Sequence, residues 1–456
     1  MRGEALATPG NMASGDVAPS DPALGGDRGR PPTRLPVVVY VLALGTFLMI
    51  ATEFVVAGLL PEIAGDLRLS VARAGLLITI FAVGMIVGAP LMALATRRMP
   101  QRLTLMLALG VFAVGHVVVA LGSRFPLLLA ARFLTAVAAG AFWSVATVVA
   151  ARAAGPAASA RAQGLVGAGG MLANVIGVPL GAVAGQLTGW RGPFWAIAAL
   201  AVAAVGLIAR HVRHDGPDAQ MVSIRCELSA LRSARLWLTL AACAATTGGV
   251  LSAYSYLAPL LTDRAGVAAG LVPLVLGGFG VGALAGSVLG GRFGDLRPHA
   301  TTIAAPAVTT VILLAICLLS AQAVPTVALI VLLGLFGLGA NPVLISLAVR
   351  FAGSAPTLGS SLSVSAYNVG TAVGTWVAGV SLGSVLGTTG PAVVGTVIAA
   401  LTLLPTVALA RRSSAAPTVP TSTASTSPAP RPSDLTAISD FPFPALNPQQ
   451  RKWENT

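Results

Sequence analysis

The sequence has very little charge. Only 9% of its 456 residues are charged and 55% are hydrophobic, whereas an ordinary soluble domain carries roughly a quarter charged residues. So little charge cannot cover a water-soluble surface, which argues against a soluble enzyme or binding module. The net charge of +13 does not indicate a nucleic-acid partner, because the basic residues are scattered between apolar runs and form no patch.

Several chemical signatures are also missing. The three cysteines, Cys226, Cys243 and Cys317, have no paired spacing, so neither a disulfide framework nor a zinc site is indicated. The sequence contains no GxxxxGK[ST] nucleotide loop and no His/Glu/Asp cluster with metal spacing. We therefore expect no ATP-driven transport, no metal, no cofactor and no enzymatic activity.

The sequence does contain many long apolar runs. A helix needs about 20 apolar residues to cross a bilayer core of roughly 30 Å. Twelve such runs predict an all-α polytopic membrane protein, over 36–60, 73–95, 103–121, 126–151, 163–186, 193–210, 236–260, 270–291, 301–319, 325–349, 358–384 and 391–410.

The longest internal polar stretch divides the twelve runs into six and six, as expected of a transporter with two lobes. The tail is rich in Ser, Thr and Pro and too poor in apolar residues to fold. The predicted organisation is a disordered cytoplasmic arm at 1–34, a six-helix lobe at 35–210, a cytoplasmic central loop at 211–235, a second six-helix lobe at 236–412, and a disordered cytoplasmic tail at 413–456.

Loop charges predict the orientation, because basic residues stay on the cytoplasmic side during insertion. With the N-terminus inside, 22 of the 28 basic residues lie in cytoplasmic segments and five lie in external loops. We therefore expect a multi-pass protein of the inner (plasma) membrane with both termini in the cytoplasm.

The two predicted lobes echo each other, which favours pseudo-symmetry. Asn174 and Gly185 in the fifth run have the same spacing as Asn368 and Gly379 in the eleventh. The second and eighth runs both end in ladders of small residues, a pattern that lets membrane helices pack closely: Gly84 and Gly88, and Gly282, Gly286 and Gly290.

Glu53 is the only carboxylate inside an apolar run. An ionised side chain in hydrocarbon costs a few kcal/mol or more unless it is paired, hydrated or protonated. We predict that Glu53 couples transport to protons or binds substrate, and that Met49, one turn earlier on the same face, lines the cavity. The alternative is a structural carboxylate that a partner helix satisfies.

Arg132 is the only arginine in the interior of an apolar run, at a depth similar to that of Glu53. We predict that the two face each other and that Arg132 tunes the proton affinity of Glu53; a structural clamp is the alternative. His116, in the third run, is either a proton relay or a neutral histidine that faces a neighbouring helix.

Other residues are candidates for contact with a ligand because of their side-chain type. Aromatic and amide side chains inside the runs can contact a ligand, although ordinary packing is the alternative for each one: Trp143, Asn174, Tyr254, Asn341 and Tyr367. A segment with a helix-bending proline and small residues is expected to let the fifth helix lie against the other lobe: Gly177, Pro179, Gly181 and Gly185.

Several motifs resemble a known family. Thr52-Glu53-Phe54, followed by GLLPEIA at 58–64, resembles the first-helix signature of twelve-helix drug/proton antiporters of the major facilitator superfamily. The branch it resembles contains chloramphenicol exporters and arabinose-type efflux permeases. Further matches are FAVGMIVGAPL at 81–91, ARFL at 131–134 and the run from Gly177 to Gly185. Two departures are Thr96, where an Asp is usual, and Thr135-Ala136, where the pattern has Gln and Gly. The resemblance also implies that Arg97 and Asp295, in equivalent loops of the two lobes, take part in the conformational change.

The resemblance implies alternating access with protons and a small, partly apolar compound as partners, in a protein expected to be monomeric. The implied substrate resembles amphenicol antibiotics. Sugar or nucleoside efflux is the alternative among transporters. A non-transporting membrane sensor on the same fold and an integral membrane enzyme are the alternatives from other classes.

Overall fold

The computed structural model describes residues 35–95, 99–155, 158–212, 231–353 and 355–414. Within these ranges the chain is helical and contains no strand. Each predicted apolar run coincides with one helix or one interrupted helix: α1 Val37–Asp66, α2 Val71–Ala95, α3 Gln101–Leu121, α4 Phe125–Ala154, α5 Ser159–Leu172 continuing as Val178–Thr188, α6 Gly192–His211, α7 Ala234–Tyr254, α8 Val272–Leu296, α9 Pro298–Leu319, α10 Ala323–Gly337 continuing as Asn341–Phe351, α11 Pro356–Leu382 and α12 Gly390–Ser414.

Eleven of these helical segments in the described ranges are long and apolar enough to cross a membrane. The remaining one, α11, has 27 residues but carries Ser, Tyr, Asn and Thr side chains along its length. Polar side chains are tolerated there because α11 packs against neighbouring helices. The prediction of an all-helical polytopic membrane fold is confirmed.

Helix α5 departs from α geometry at the predicted segment. Residues Ala173–Gly177 form a π-helical turn immediately before Val178–Thr188. Pro179 lacks the N–H that would bond to the carbonyl four residues earlier, and a wider turn accommodates this loss. The turn places the backbone of Asn174 beside the second half of the molecule.

Glycine ladders bring helices together within each half, with α1–α6 taken as the N-terminal half and α7–α12 as the C-terminal half. Gly84 and Gly88 of α2 lie against the backbone of α4, so that a Cβ at either position would clash. The ladder of α8 meets the backbone of α10 in the same way, at Gly282, Gly286 and Gly290. The second and fourth helices of each half therefore pack through a glycine ladder, as the similar glycine patterns of the second and eighth runs predict.

Several helix pairs join the halves, among them α5 with α8 and α2 with α11. Gly280 of α8 approaches the Asn174 carbonyl of α5. The Thr79 hydroxyl of α2 hydrogen-bonds the Thr375 hydroxyl of α11 at 2.8 Å. The Tyr256 hydroxyl, which donates to the Thr375 carbonyl at 3.1 Å, lies beside Gly75 of α2. The described residues up to Arg411 form one compact unit.

The halves share their largest hydrophobic core at one end. The largest hydrophobic cluster combines residues of both halves, among them Leu59, Leu257 and Phe279. The buried residues of the second cluster, which include Phe112, all belong to the N-terminal half, and the C-terminal half has small clusters of its own. The shared core lies at the end that the loop charges predict to be external. On that topology this conformation is closed outside.

The glycines of α5 face a different partner from the one predicted. Gly177, Gly181 and Gly185 pack against Phe47, Val55 and Leu59 of α1, within the same half. Only Pro179 in this group meets the other half, where it lies beside Gly277 of α8. The prediction that helix α5 lies against the other half is right, and Pro179 makes such a contact. It is wrong for Gly177, Gly181 and Gly185, whose partner α1 belongs to the same half.

Some predictions concern residues outside the described ranges. Arg97, most of the central loop, the N-terminal arm and the tail beyond residue 414 are among them, so their predicted roles stay predictions. Asp295 is described: it is exposed near the end of α8.

Candidate functional site

Glu53 of α1 borders a small cavity between the two halves. The cavity has a volume of about 10 Å³, close to the minimum that holds one water molecule. Its other walls come from α1, α2, α7 with the residue after it, and α11: Phe54, Ala57, Ile78, Leu251, Tyr254, Ser255 and Thr371. The acidic side chain thus lies where helices of both halves meet.

The Glu53 carboxylate has no hydrogen-bond donor among the described residues, and its side chain is half-buried. Most of the cavity wall is apolar, and Tyr254, Ser255 and Thr371 are the polar residues that line it beside Glu53. A carboxylate in such surroundings is stabilised in its neutral form unless water or a cation reaches it. Glu53 is therefore suited to take up and release a proton.

The residue next to Glu53 organises a buried polar network. Thr52 Oγ1 lies 2.9 Å from Arg132 Nη1 and 2.6 Å from His116 Nε2, and His116 Nδ1 lies 2.7 Å from the Phe112 carbonyl oxygen. Thr52 has no exposed surface, and Arg132 and His116 are each 1% exposed. One hydroxyl thus links helices α1, α3 and α4.

Hydrogen-bond chemistry assigns the protons in this network. The Phe112 carbonyl can only accept, so His116 Nδ1 carries the hydrogen. A neutral ring then presents a lone pair at Nε2, which accepts from the Thr52 hydroxyl. The Thr52 oxygen in turn accepts from Arg132 Nη1. Each group in the chain has one defined role, which makes His116 a satisfied neutral residue in this conformation.

Arg132 makes further contacts but no ion pair with Glu53. Its Nε lies 3.4 Å from the Leu77 carbonyl oxygen, and its guanidinium carbon lies 4.3 Å from the centre of the Phe81 ring. Its Nη2 is buried without a hydrogen-bond partner. Arg132 is close enough to act electrostatically on Glu53, although no N–O distance of 4.0 Å or less joins them. A coupling role for the pair stays a prediction.

Tyr254 lies beside Glu53 and bridges the halves. Its ring makes an edge-on contact with Phe54 of α1, with centroids 5.6 Å apart. On the other side it packs on Phe279 of α8 at 4.4 Å. The predicted candidates Glu53 and Tyr254 therefore do share one cavity.

A second pair of candidates meets in the C-terminal half. The Tyr367 hydroxyl donates to the backbone carbonyl of Asn341 at 3.0 Å. The Asn341 side-chain oxygen is buried without a partner, and it lies where α10 is interrupted. This amide oxygen remains available to a hydrogen-bond donor.

The remaining candidates lie apart from the Glu53 cavity. Met49 is 3% exposed and belongs to the core of the N-terminal half. Trp143 is partly exposed and lies beside Gly170 of α5. Asn174 contributes its backbone to the contact with Gly280. Their assignment to a substrate cavity stays a prediction.

Sequence reasoning missed some of the site. In the sequence Thr52 stands out only as part of a motif, yet its hydroxyl joins Arg132 and His116 in one network. The contacts of Thr79 and Thr375 across the halves were not anticipated.

This arrangement, two repeated halves of six helices around one embedded carboxylate, is that of a secondary membrane transporter. The sequence matches the family model described as Major Facilitator Superfamily over residues 42–357. The chain belongs to this superfamily. It is therefore a multi-pass membrane transporter, and proteins of its family move small molecules, typically as monomers, and are generally not enzymes.

Relatives in bacteria support the narrower branch. The chain is 35% identical to a "Chloramphenicol resistance protein" of Streptomyces lividans, over 81% of this chain and 95% of the relative. It is 32% identical to the "Inner membrane transport protein YdhP" of Escherichia coli K12, over 80% and 93%. It is 30% identical to the "Putative transporter AraJ" of the same strain, over 76% and 88%. The resemblance to the drug efflux branch is confirmed.

Proposed function

We propose that the protein exports a small hydrophobic compound of the amphenicol type in exchange for protons. One observation carries the proposal: the only carboxylate found within an apolar run borders a cavity walled by both halves. A group at that place changes its surroundings whenever the halves move. The relative named for chloramphenicol resistance supports the substrate class.

In the proposed cycle the halves rock so that the site faces the cytoplasm and the exterior in turn. Glu53 takes a proton when the external end opens. The external end then closes over the neutral acid, because closing over a carboxylate ion costs a few kcal/mol or more. Opening to the cytoplasm lets water reach the acid, which releases its proton as the compound binds.

Arg132 has a supporting role in this cycle. Its position is fixed by Thr52 and by the Leu77 carbonyl, and its Nη2 group has no hydrogen-bond partner. Arg132 lies in the same half as Glu53, so rocking of the halves keeps this cation near the carboxylate. There it favours the ionised form and helps the acid to release its proton once water reaches it.

The surroundings of Glu53 favour an apolar compound over a sugar. Four of the eight lining residues, Phe54, Ala57, Ile78 and Leu251, offer no hydrogen-bonding side chain, whereas a sugar site needs many donors and acceptors to replace the water that the sugar loses. Efflux of sugars or nucleosides is accordingly the less supported alternative.

The test is Glu53→Gln in proteoliposomes with an imposed pH gradient. Gln keeps the shape and resembles the protonated acid but cannot titrate, so substrate binding should become insensitive to pH and uphill export of chloramphenicol should be lost. Glu62→Gln is the matched control, since it makes the same change at the external end of α1, and it should keep export. Uphill export by Glu53→Gln with the pH dependence of the parent protein would refute the coupling assignment.

A further inference from the structure

A large apolar groove lies away from the proposed transport site. It runs between α8, α9 and α10 in the C-terminal half and has a volume of about 660 Å³. Glycines of two tightly packed helices form its floor, at Gly286, Gly290 and Gly339. Large apolar side chains form its rim, including Phe293, which is 62% exposed, and Leu296, which is 80% exposed.

The length of the groove matches one leaflet of a membrane. Its lining on α8 extends from Gly286 to Leu296, a rise of roughly 15 Å at about 1.5 Å per residue. That is about half of the roughly 30 Å hydrocarbon core. The groove ends where α8 ends, so it covers the leaflet on the side that the loop charges predict to be cytoplasmic.

An unpaired cation lies at the outer end of the groove. Arg297, between α8 and α9, lines the groove and is exposed. Its side chain makes no hydrogen bond or ion pair with any described residue. The neighbouring Arg292 is also exposed but does not line the groove, and neither does the exposed carboxylate Asp295. The charge at the mouth of the groove is thus positive.

We infer that this groove is a binding site for an anionic glycerophospholipid of the cytoplasmic leaflet, with one acyl chain in the groove and the phosphate on Arg297. The apolar wall and its length fit an acyl chain. A guanidinium with free donors at the membrane surface fits a phosphate, to which it can donate two parallel hydrogen bonds. The cytoplasmic leaflet is also the one that carries anionic lipid. The site gives the C-terminal half a fixed lipid contact between α8 and α10.

The experiment measures bound lipid on the full-length protein. The protein is purified from nanodiscs that contain equal amounts of phosphatidylglycerol and phosphatidylcholine, and the retained lipid is counted by native mass spectrometry. The parent should retain phosphatidylglycerol in preference to phosphatidylcholine. Arg297→Gln should weaken this preference by roughly fivefold, the effect expected of one arginine near an anionic surface.

Two further variants distinguish a specific lipid site in the groove from general attraction of anionic lipid to surface charge. Arg292→Gln removes the same charge nearby but outside the groove, so it should leave the preference intact. Ala304→Phe keeps Arg297 and fills the groove, so it should lower the amount of either lipid that is retained. Elution of each variant as a folded monomer on size exclusion confirms that the comparison is valid.

Three outcomes would overturn the inference. Equal losses in Arg297→Gln and Arg292→Gln would reduce the effect to general surface charge. Retention of lipid in Ala304→Phe at the parental level would place the lipid elsewhere. Displacement of the retained lipid by chloramphenicol at low concentration would make the groove a drug site instead.

Discussion

Replacing Gly280 by alanine should favour the conformation that is open to the outside. An alanine Cβ at this position of α8 would lie 2.6 Å from the Asn174 carbonyl carbon and 2.9 Å from Val175 Cα. Both are main-chain atoms of α5, so no side-chain rotation relieves the clash and the helices must separate. This contact joins the two halves, whose shared core lies at the predicted external end, so the added methyl group penalises the state closed on that side.

The size of the effect follows from the cost of overpacking, which is about 1–3 kcal/mol for added methylene groups in a tight core. That corresponds to a shift in the ratio of the two states by a factor of about 5 to 150. The better helix propensity of alanine adds stability, but α8 is helical in both states and this gain cancels in the ratio.

Thiol labelling from the outside measures this shift. Ser255 is 2% exposed and borders the cavity beside Glu53, so a cysteine there is protected while the external end is closed. In a background without the native cysteines, Ser255→Cys should react with an impermeant maleimide faster when Gly280→Ala is present, by the factor given above.

Gly181→Ala is the control for this experiment. Its Cβ would contact only the Val55 side chain of α1, within one half, so its cost falls on the stability of that half and the labelling rate should stay at the parental value. A parental rate in Gly280→Ala, or an equal rise in Gly181→Ala, would refute the assignment of these contacts.

Two further predictions concern the polar network and the topology. Thr52→Val keeps the shape but leaves donors and acceptors of Arg132 and His116 unsatisfied, which should lower stability by about 1–3 kcal/mol; thermal unfolding in detergent checks this, and Thr52→Ser, which keeps the hydroxyl, should retain parental stability. Reporter fusions in the central loop at 211–235 and after Arg412 should both report a cytoplasmic location, and an external signal at either site would contradict the predicted orientation.

The helices were predictable from sequence because a membrane leaves little choice. Backbone N–H and C=O groups in hydrocarbon must pair within the segment, so a run of about 20 apolar residues becomes a helix. Accordingly, the run 36–60 lies almost entirely within α1, and the run 103–121 lies within α3. The same constraint made Glu53 conspicuous, since a carboxylate in such a run is expensive.

The partners of each helix were not predictable in the same way. A small residue permits close approach from any neighbour, so Gly181 and Gly280 look alike in the sequence although one faces α1 and the other faces α5. The role of Thr52 in the polar network was not predictable for a related reason. A threonine in a helix commonly bonds the carbonyl four residues earlier, and only the fold places Arg132 and His116 next to this one.

The position of Glu53 also explains how one carboxylate can couple the opening of the external end to the binding of a proton. Its cavity is walled by Ile78 from the N-terminal half and by Tyr254 and Thr371 from the C-terminal half, so a rocking motion that opens the external end must also remove part of that wall. The same motion would replace apolar neighbours by water, and water stabilises the ionised form. In the proposed cycle, access to the outside and the affinity of Glu53 for its proton therefore change together. A carboxylate buried within a single half would lack this link, because rocking would leave its surroundings unchanged.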